Sequence, residues 1–161
     1  MKAYISISYH KRQSLNTALT AIVSVLDELS IEPFVFVDHY KFDTTQEEEM
    51  MAAAISELAH CQLLIAETSH KGIGIGIEAG YAKALNKPIV YIRHKEAEHS
   101  TTLSGISDYR VIYKSADDLQ QLTPLRQRVG AWADRLVRRR RRGVGRLGRL
   151  GHASPHQPAE P

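Results

Sequence analysis

The sequence predicts an α/β fold with a doubly wound, five-stranded parallel sheet and helices on both faces. Two observations carry this. Short apolar segments alternate with segments of helical periodicity along the chain, the pattern of βαβ units. The strand segments are also continuously apolar rather than alternating, which marks strands buried on both faces of a parallel sheet. Five such strands suggest a flavodoxin-like layout, in which ligands bind outside the carboxyl ends of the strands.

The elements follow in order. Ala3–Ile7 is β-branched and apolar and reads as the first strand. Leu15, Leu19, Ile22, Val23, Leu26 and Leu29 recur at helical spacing and predict about four turns, with Ser14 as candidate cap. After Pro33, residues 34–37 read as a second buried strand, and Asp38–Thr44 as a polar loop. Thr45-Gln46-Glu47-Glu48 fits a capping box, ahead of a helical face formed by Met50, Met51, Ala54, Ile55 and Leu58. Leu63–Ala66 is the third strand. The glycine-rich segment 72–76 then reads as a loop leading into a helix around Glu78–Leu85. Pro88–Ile92 and Val111–Tyr113 complete the strands, separated by a polar loop over 93–107. Ser115-Ala116-Asp117-Asp118 resembles a second capping box. It opens a helical region running to about Val137, with a break at Pro124.

At 161 residues the chain fits one ordinary domain. The net charge of +3 is unevenly spread. Residues 138–161 hold seven arginines and one acid, whereas residues 1–137 carry a net charge of −3. The expected organisation is a domain over 1–137 and a disordered Arg/Gly/Pro-rich tail over 138–161. Such a tail could bind polyanions weakly and without sequence preference. No apolar run approaches the ~20 residues of a membrane span. No secretory signal is evident at the N-terminus, and the single cysteine, Cys61, reads as a packed thiol. Together these lead us to expect a cytoplasmic protein. The histidines are scattered without ligand spacing, so neither metal nor cofactor is expected.

The chemistry concentrates in residues 66–82, a strand followed by Gly72-Ile73-Gly74-Ile75-Gly76 and then Glu78 near a helix start. Glycines let a ligand approach the backbone, and free amides at a helix start favour anions. The spacing is not that of a dinucleotide fingerprint, and the absence of Gly-Lys-Ser/Thr excludes a P-loop. The same pattern is compatible with a plain turn and a solvated first-turn acid.

The run Gly74-Ile75-Gly76-Ile77-Glu78-Ala79-Gly80-Tyr81-Ala82, with Tyr4-Ile5-Ser6-Ile7-Ser8 at the start, resembles the nucleoside 2-deoxyribosyltransferase family and its 2'-deoxynucleoside 5'-phosphate N-hydrolase relatives. The likeness covers roughly residues 1–120. It implies that Glu78 attacks the anomeric carbon and expels the base, and that Tyr4 orients it. It further implies cleavage or transfer of the N-glycosidic bond of a nucleoside or its 5'-monophosphate. By the same resemblance Ser6, Ser8, Gly72, Gly74 and Gly76 hold the sugar or phosphate side, Glu67 belongs to the substrate site, and Asp38 and His39 contact the base, although His39 equally suits an ordinary loop histidine. Ser100, Thr101 and Thr102 fall where relatives complete a neighbouring subunit's site, which implies a homodimer or larger assembly. The departures are Ala54 at the position of a helix aspartate, with Glu57 one turn on, and Ile7 and Gly72 at phosphate-loop positions. Ala54 leaves open a non-catalytic nucleotide-binding module, and the shared fold class and acid leave open a nicotinamide-nucleotide glycohydrolase.

Overall fold

A computed structural model describes residues 1–120, 126–127 and 129–135. The expected break at Pro124 and the tail over 138–161 lie outside the described residues. Five strands form one sheet: β1 (Lys2–Ser6), β2 (Glu32–Val35), β3 (Leu63–Glu67), β4 (Ile89–His94) and β5 (Tyr109–Tyr113). All four pairings are parallel and the order is β2-β1-β3-β4-β5, the flavodoxin-like arrangement. Among the described residues they are accompanied by the helices α1 (Asn16–Glu28), α2 (Phe36–His39), α3 (Glu47–His60), α4 (Ile73–Ala84), α5 (Thr101–Ile106) and α6 (Ala116–Gln120). Residues 126–127 and 129–135 are also helical.

The sheet divides the core in two. On one face Ile5, Ile65, Val90 and Ile92 pack with Ile22, Val25 and Leu26 of α1 and with Leu119 of α6. On the other, Tyr4, Leu64, Ala66, Ile89 and Tyr91 pack with Ala54 and Leu58 of α3, Ile75, Ala79 and Ala82 of α4, and Leu103 of α5. Successive strand residues point to opposite faces, so Tyr4 and Ser6 share the face covered by α3 and α4. The apolar runs of the central strands are explained by this two-sided cover.

Several local expectations need correction. Ser14 does not cap α1: residues 9–11 and 13–15 form two 3-10 turns, and Ser14 Oγ donates to the Lys11 carbonyl at 2.8 Å. The capping box at 45–48 does not form either. Asp43 captures both the amide and the hydroxyl of Thr45, and α3 starts with no side-chain cap. Strand β2 ends at Val35, because residues 36–39 turn into α2 and His39 bonds the Val35 carbonyl at 2.9 Å. The glycine segment is not a loop: α4 begins at Ile73, immediately after Gly72. Its low helix propensity hid a helix held down by buried Ile75, Ala79 and Ala82. The polar stretch 93–107 contains α5, whose cap is Ser100 Oγ accepting from the Leu103 amide at 3.2 Å. At α6 the Ser115 hydroxyl does accept from the Asp118 amide, at 3.2 Å.

Helices α1 and α4 end in matching turns. Ser30 and Asn86 take left-handed backbone conformations, φ 55° and 54°. In each case two crossed hydrogen bonds close the turn, Ser30 N to Asp27 O with Ile31 N to Leu26 O, and Asn86 N to Lys83 O with Lys87 N to Ala82 O. This is the Schellman closure, normally built on glycine. A left-handed non-glycine residue costs ~1–2 kcal/mol, partly offset by the extra unfolded-state freedom of glycine. Ser30→Gly is therefore expected to stabilise the protein by about 0.5–1 kcal/mol, read as a raised denaturant midpoint with unchanged slope.

Candidate active site

The carboxylate of Glu78, carried on α4, reaches the carboxyl end of β1. The Tyr4 hydroxyl donates to Glu78 Oε1 at 2.6 Å, and the Ser6 hydroxyl donates to Oε2. Both donors lie on the central strand and are buried, Tyr4 at 0 % and Ser6 at 2 % exposure. Tyr4 and Ser6 are two residues apart on β1 and so reach the same carboxylate. Ile5 between them faces the other core. Burial holds the Glu78 carboxyl above its ordinary pKa, and the Ser6 and Tyr4 donors pull it back part of the way. Burial, then the charge of Glu78, pushes the Tyr4 phenol well above its usual range, so it remains a donor. Such a clamp fixes the direction of both carboxylate oxygens.

Beside it, the start of α4 and α5 enclose a cleft of about 390 Å³. Its walls include Thr68, His70, Gly72, Gly76, Ser100 and Thr101. Thr102 also borders it, whereas Gly74, Glu78, Tyr4 and Ser6 do not. The cleft and the clamped acid therefore flank the same first turns of α4. Gly72 is tightly placed, since a Cβ there would lie 3.2 Å from the Ile75 side chain. At Gly74 and Gly76 a Cβ would meet open space.

No family model matches the chain. Over 68 residues it is 32% identical to a Syntrophotalea carbinolica protein provisionally named 2'-deoxynucleoside 5'-phosphate N-hydrolase 1. That match covers 42% of this chain and 48% of the other, so it spans about half the length of the curated relative. A Clostridium botulinum CMP N-glycosidase superposes with a TM-score of 0.54 at 21% identity, over 76% of this chain and 98% of that one. A 2-deoxyribosyltransferase from Bacillus psychrosaccharolyticus gives a TM-score of 0.57 at 12% identity, over 75% and 91%. The two solved structures share the fold of this chain.

Within this fold, the remaining candidate residues separate into two sets. Ser8 is buried at the end of β1, beside Gly72. Ser100 is engaged as the α5 cap, and Thr101 and Thr102 are exposed on the cleft wall. Three others are committed elsewhere. Both oxygens of Asp38 are held by Arg12, at 2.6 Å each. The His39 ring lies over Phe34, with centroids 4.5 Å apart. Glu67 is buried on the opposite side of the sheet from Tyr4, where it accepts from Ser69 and, at 3.0 Å, from Tyr113. Its pKa is raised by burial, an effect reduced by those donors. Glu57 is likewise occupied, by Lys2 at 3.2 Å and by the Tyr40 hydroxyl at 2.8 Å. Ala54, 3 % exposed, packs in the same cluster as Tyr4.

The sequence reading missed an aromatic ladder. Tyr4 stacks on Phe36 with centroids 6.1 Å apart, and Phe36 stacks on Tyr40 at 5.0 Å and on Phe42 at 6.2 Å. The available signal was compositional: all three phenylalanines of the chain fall within residues 34–42. Among the described residues no helix is long and apolar enough to cross a membrane, and no cluster of ligating side chains suits a metal.

Proposed function

We propose that the protein cleaves or exchanges the N-glycosidic bond of a nucleoside or nucleoside 5'-monophosphate, with Glu78 as nucleophile. The observation that carries this reading is the carboxylate clamped at both oxygens by Tyr4 and Ser6. A carboxylate aimed in this way suits attack on an anomeric carbon, because the oxocarbenium-like transition state is stabilised by adjacent negative charge. In the first step a Glu78 oxygen bonds to C1' as the bond to the base breaks. In the second, water or another base takes C1' and restores the carboxylate. Tyr4 and Ser6 act as positioning residues. The hydroxyls and backbone amides of the neighbouring cleft support placing the polar end of the substrate there. A homodimer in which residues 100–102 complete a partner's site, and a domain boundary near 137, belong to the same reading.

The test is base release from a panel of deoxynucleosides, ribonucleosides and their 5'-monophosphates, with and without a second free base. Formation of a new nucleoside identifies a transferase, and its absence a hydrolase. No release across the panel at high enzyme concentration would refute the reading.

The pH profile gives a second expectation. A nucleophilic carboxylate works ionised, so activity is present above the Glu78 pKa and falls as pH drops through it. Ser6→Ala removes a donor that lowers this pKa. The acid limb of kcat/KM should therefore move to higher pH in the variant. An unmoved limb would show that Ser6 does not act on Glu78.

A further inference from the structure

Glu67 is an acid that the reaction above leaves unused. It is 1 % exposed and forms no ion pair among the described residues. A carboxylate so placed persists only where donors satisfy it. Its donors come from two residues. The Ser69 amide lies 3.2 Å from Oε1 and 3.3 Å from Oε2, and the Ser69 hydroxyl donates to Oε1. The Tyr113 hydroxyl donates to Oε1 at 3.0 Å. Ser69 Oγ in turn accepts from the His94 amide at 2.7 Å. Glu67 ends β3, His94 ends β4 and Tyr113 ends β5. A single carboxylate thus ties together the carboxyl ends of three strands.

The segment tied in this way is a wall of the cleft. Thr68, His70, Lys71 and Gly72 line the cavity, whereas Glu67 and Ser69 do not. Successive residues of an extended chain face opposite sides, so the network holds the wall from behind. The Thr68 amide continues the β3–β4 ladder onto the Ile92 carbonyl at 2.8 Å, but the amides of residues 69–72 find no backbone acceptor among the described residues. Two further side-chain anchors of this segment lie at the surface: His70 Nε2 is 3.3 Å from Ser14 Oγ, and Lys71 pairs with Glu98 where both are exposed. Exposed pairs of that kind contribute little. The Ser69–Glu67 contact is buried and charge-assisted, which makes it the stronger hold.

We propose that Glu67 is a positioning residue for substrate: it fixes residues 68–72 in the shape that walls the cleft, without touching the ligand itself. The inference rests on the N-glycosidase reading and assigns Glu67 to binding rather than to chemistry. The Glu78 clamp hangs from Tyr4 and Ser6 on the other face of the sheet, and α4 is seated by Ile75, Ala79 and Ala82. Neither depends on Glu67.

Glu67→Gln keeps the shape of the side chain and sets an amide group against the Ser69 and Tyr113 donors. KM for deoxynucleoside 5'-monophosphates is expected to rise about tenfold, the loss of one hydrogen bond to a charged group, with kcat held within about threefold. A fall in kcat at unchanged KM, or no change in either, overturns the proposal. Amide exchange followed by NMR gives an arm that needs no turnover. The Ser69 and His94 amides should exchange about tenfold faster in the variant, while the Thr68 amide, held by the Ile92 carbonyl, keeps its rate. Unchanged exchange at Ser69 and His94 overturns the proposal, and so does an equal rise at all three, which would mark a general loosening of the fold. Tyr113→Phe removes one donor, keeps the ring, and serves the same two measurements should Glu67→Gln fail to fold. Absence of base release by the wild type refutes the N-glycosidase reading, and the exchange arm still decides whether Glu67 holds the wall.

Discussion

Glu78→Ala is expected to reduce base release by on the order of 10⁴–10⁶, the range seen when a covalent nucleophile is removed, while leaving the fold intact. Alanine is the best helix former, and position 78 lies in the second turn of α4, whose hold on the sheet comes from Ile75, Ala79 and Ala82. Nothing in that packing depends on the carboxylate. The raised pKa of Glu78 also means that the fold disfavours its ionised form, so removing it should not destabilise the protein at neutral pH. Base release by chromatography, read beside a thermal melt, separates the two effects. Turnover that survived in a folded Glu78→Ala protein would move the chemistry to another group.

The second large effect concerns the floor beneath that site. Leu64→Ala is expected to cost about 3–5 kcal/mol, the upper part of the range for buried leucine truncations. Leu64 is fully buried in the centre of β3, in register with Tyr4 of β1 on one side and Ile89 of β4 on the other. It belongs to the cluster that seats Tyr4, Ala79 and Ala82. Its neighbours are backbone-fixed strand residues on both sides, which limits collapse into the vacated space. Against a total stability of ~5–15 kcal/mol, the loss should appear as a large fall in denaturant midpoint. The midpoint should recover substantially with Leu64→Met, which conserves volume.

The sheet was legible because its signal is collective. Residues 3–7, 34–37, 63–66, 88–92 and 111–113 share one apolar character, and one physical solution buries them all. The failures are local and have local causes. Thr45 has the right residue type for a cap, but Asp43, two positions earlier, competes for the same hydrogen bonds and takes them. The residues 72–76 look like a loop because three glycines weigh against a helix, yet buried side chains on one face outweigh propensity. At the site, Tyr4, Ser6 and Glu78 could be nominated from type and order alone. That Ser6 reaches the acid rather than a ligand depends on the alternation of β1, and follows once the sheet register is known. The commitments of Asp38 to Arg12 and of Glu57 to Lys2 join residues 26 and 55 positions apart, beyond the reach of any local pattern. The Tyr4–Phe36–Phe42 ladder likewise needs β2 to stop at Val35 so that α2 can turn Phe36 back over the sheet.

Cys61 closes α3 with its side chain fully enclosed, and burial pushes its thiol up to about 11. At neutral pH it is therefore shielded twice, by exclusion of reagent and by the scarcity of thiolate. The residue thus serves as a built-in clock for opening of the α3–β3 junction. Alkylation of the native protein reports how often that junction comes apart, and a ligand that steadies the sheet should slow the labelling in proportion to its occupancy. Engagement of a small molecule could then be followed without an activity assay and without adding a probe.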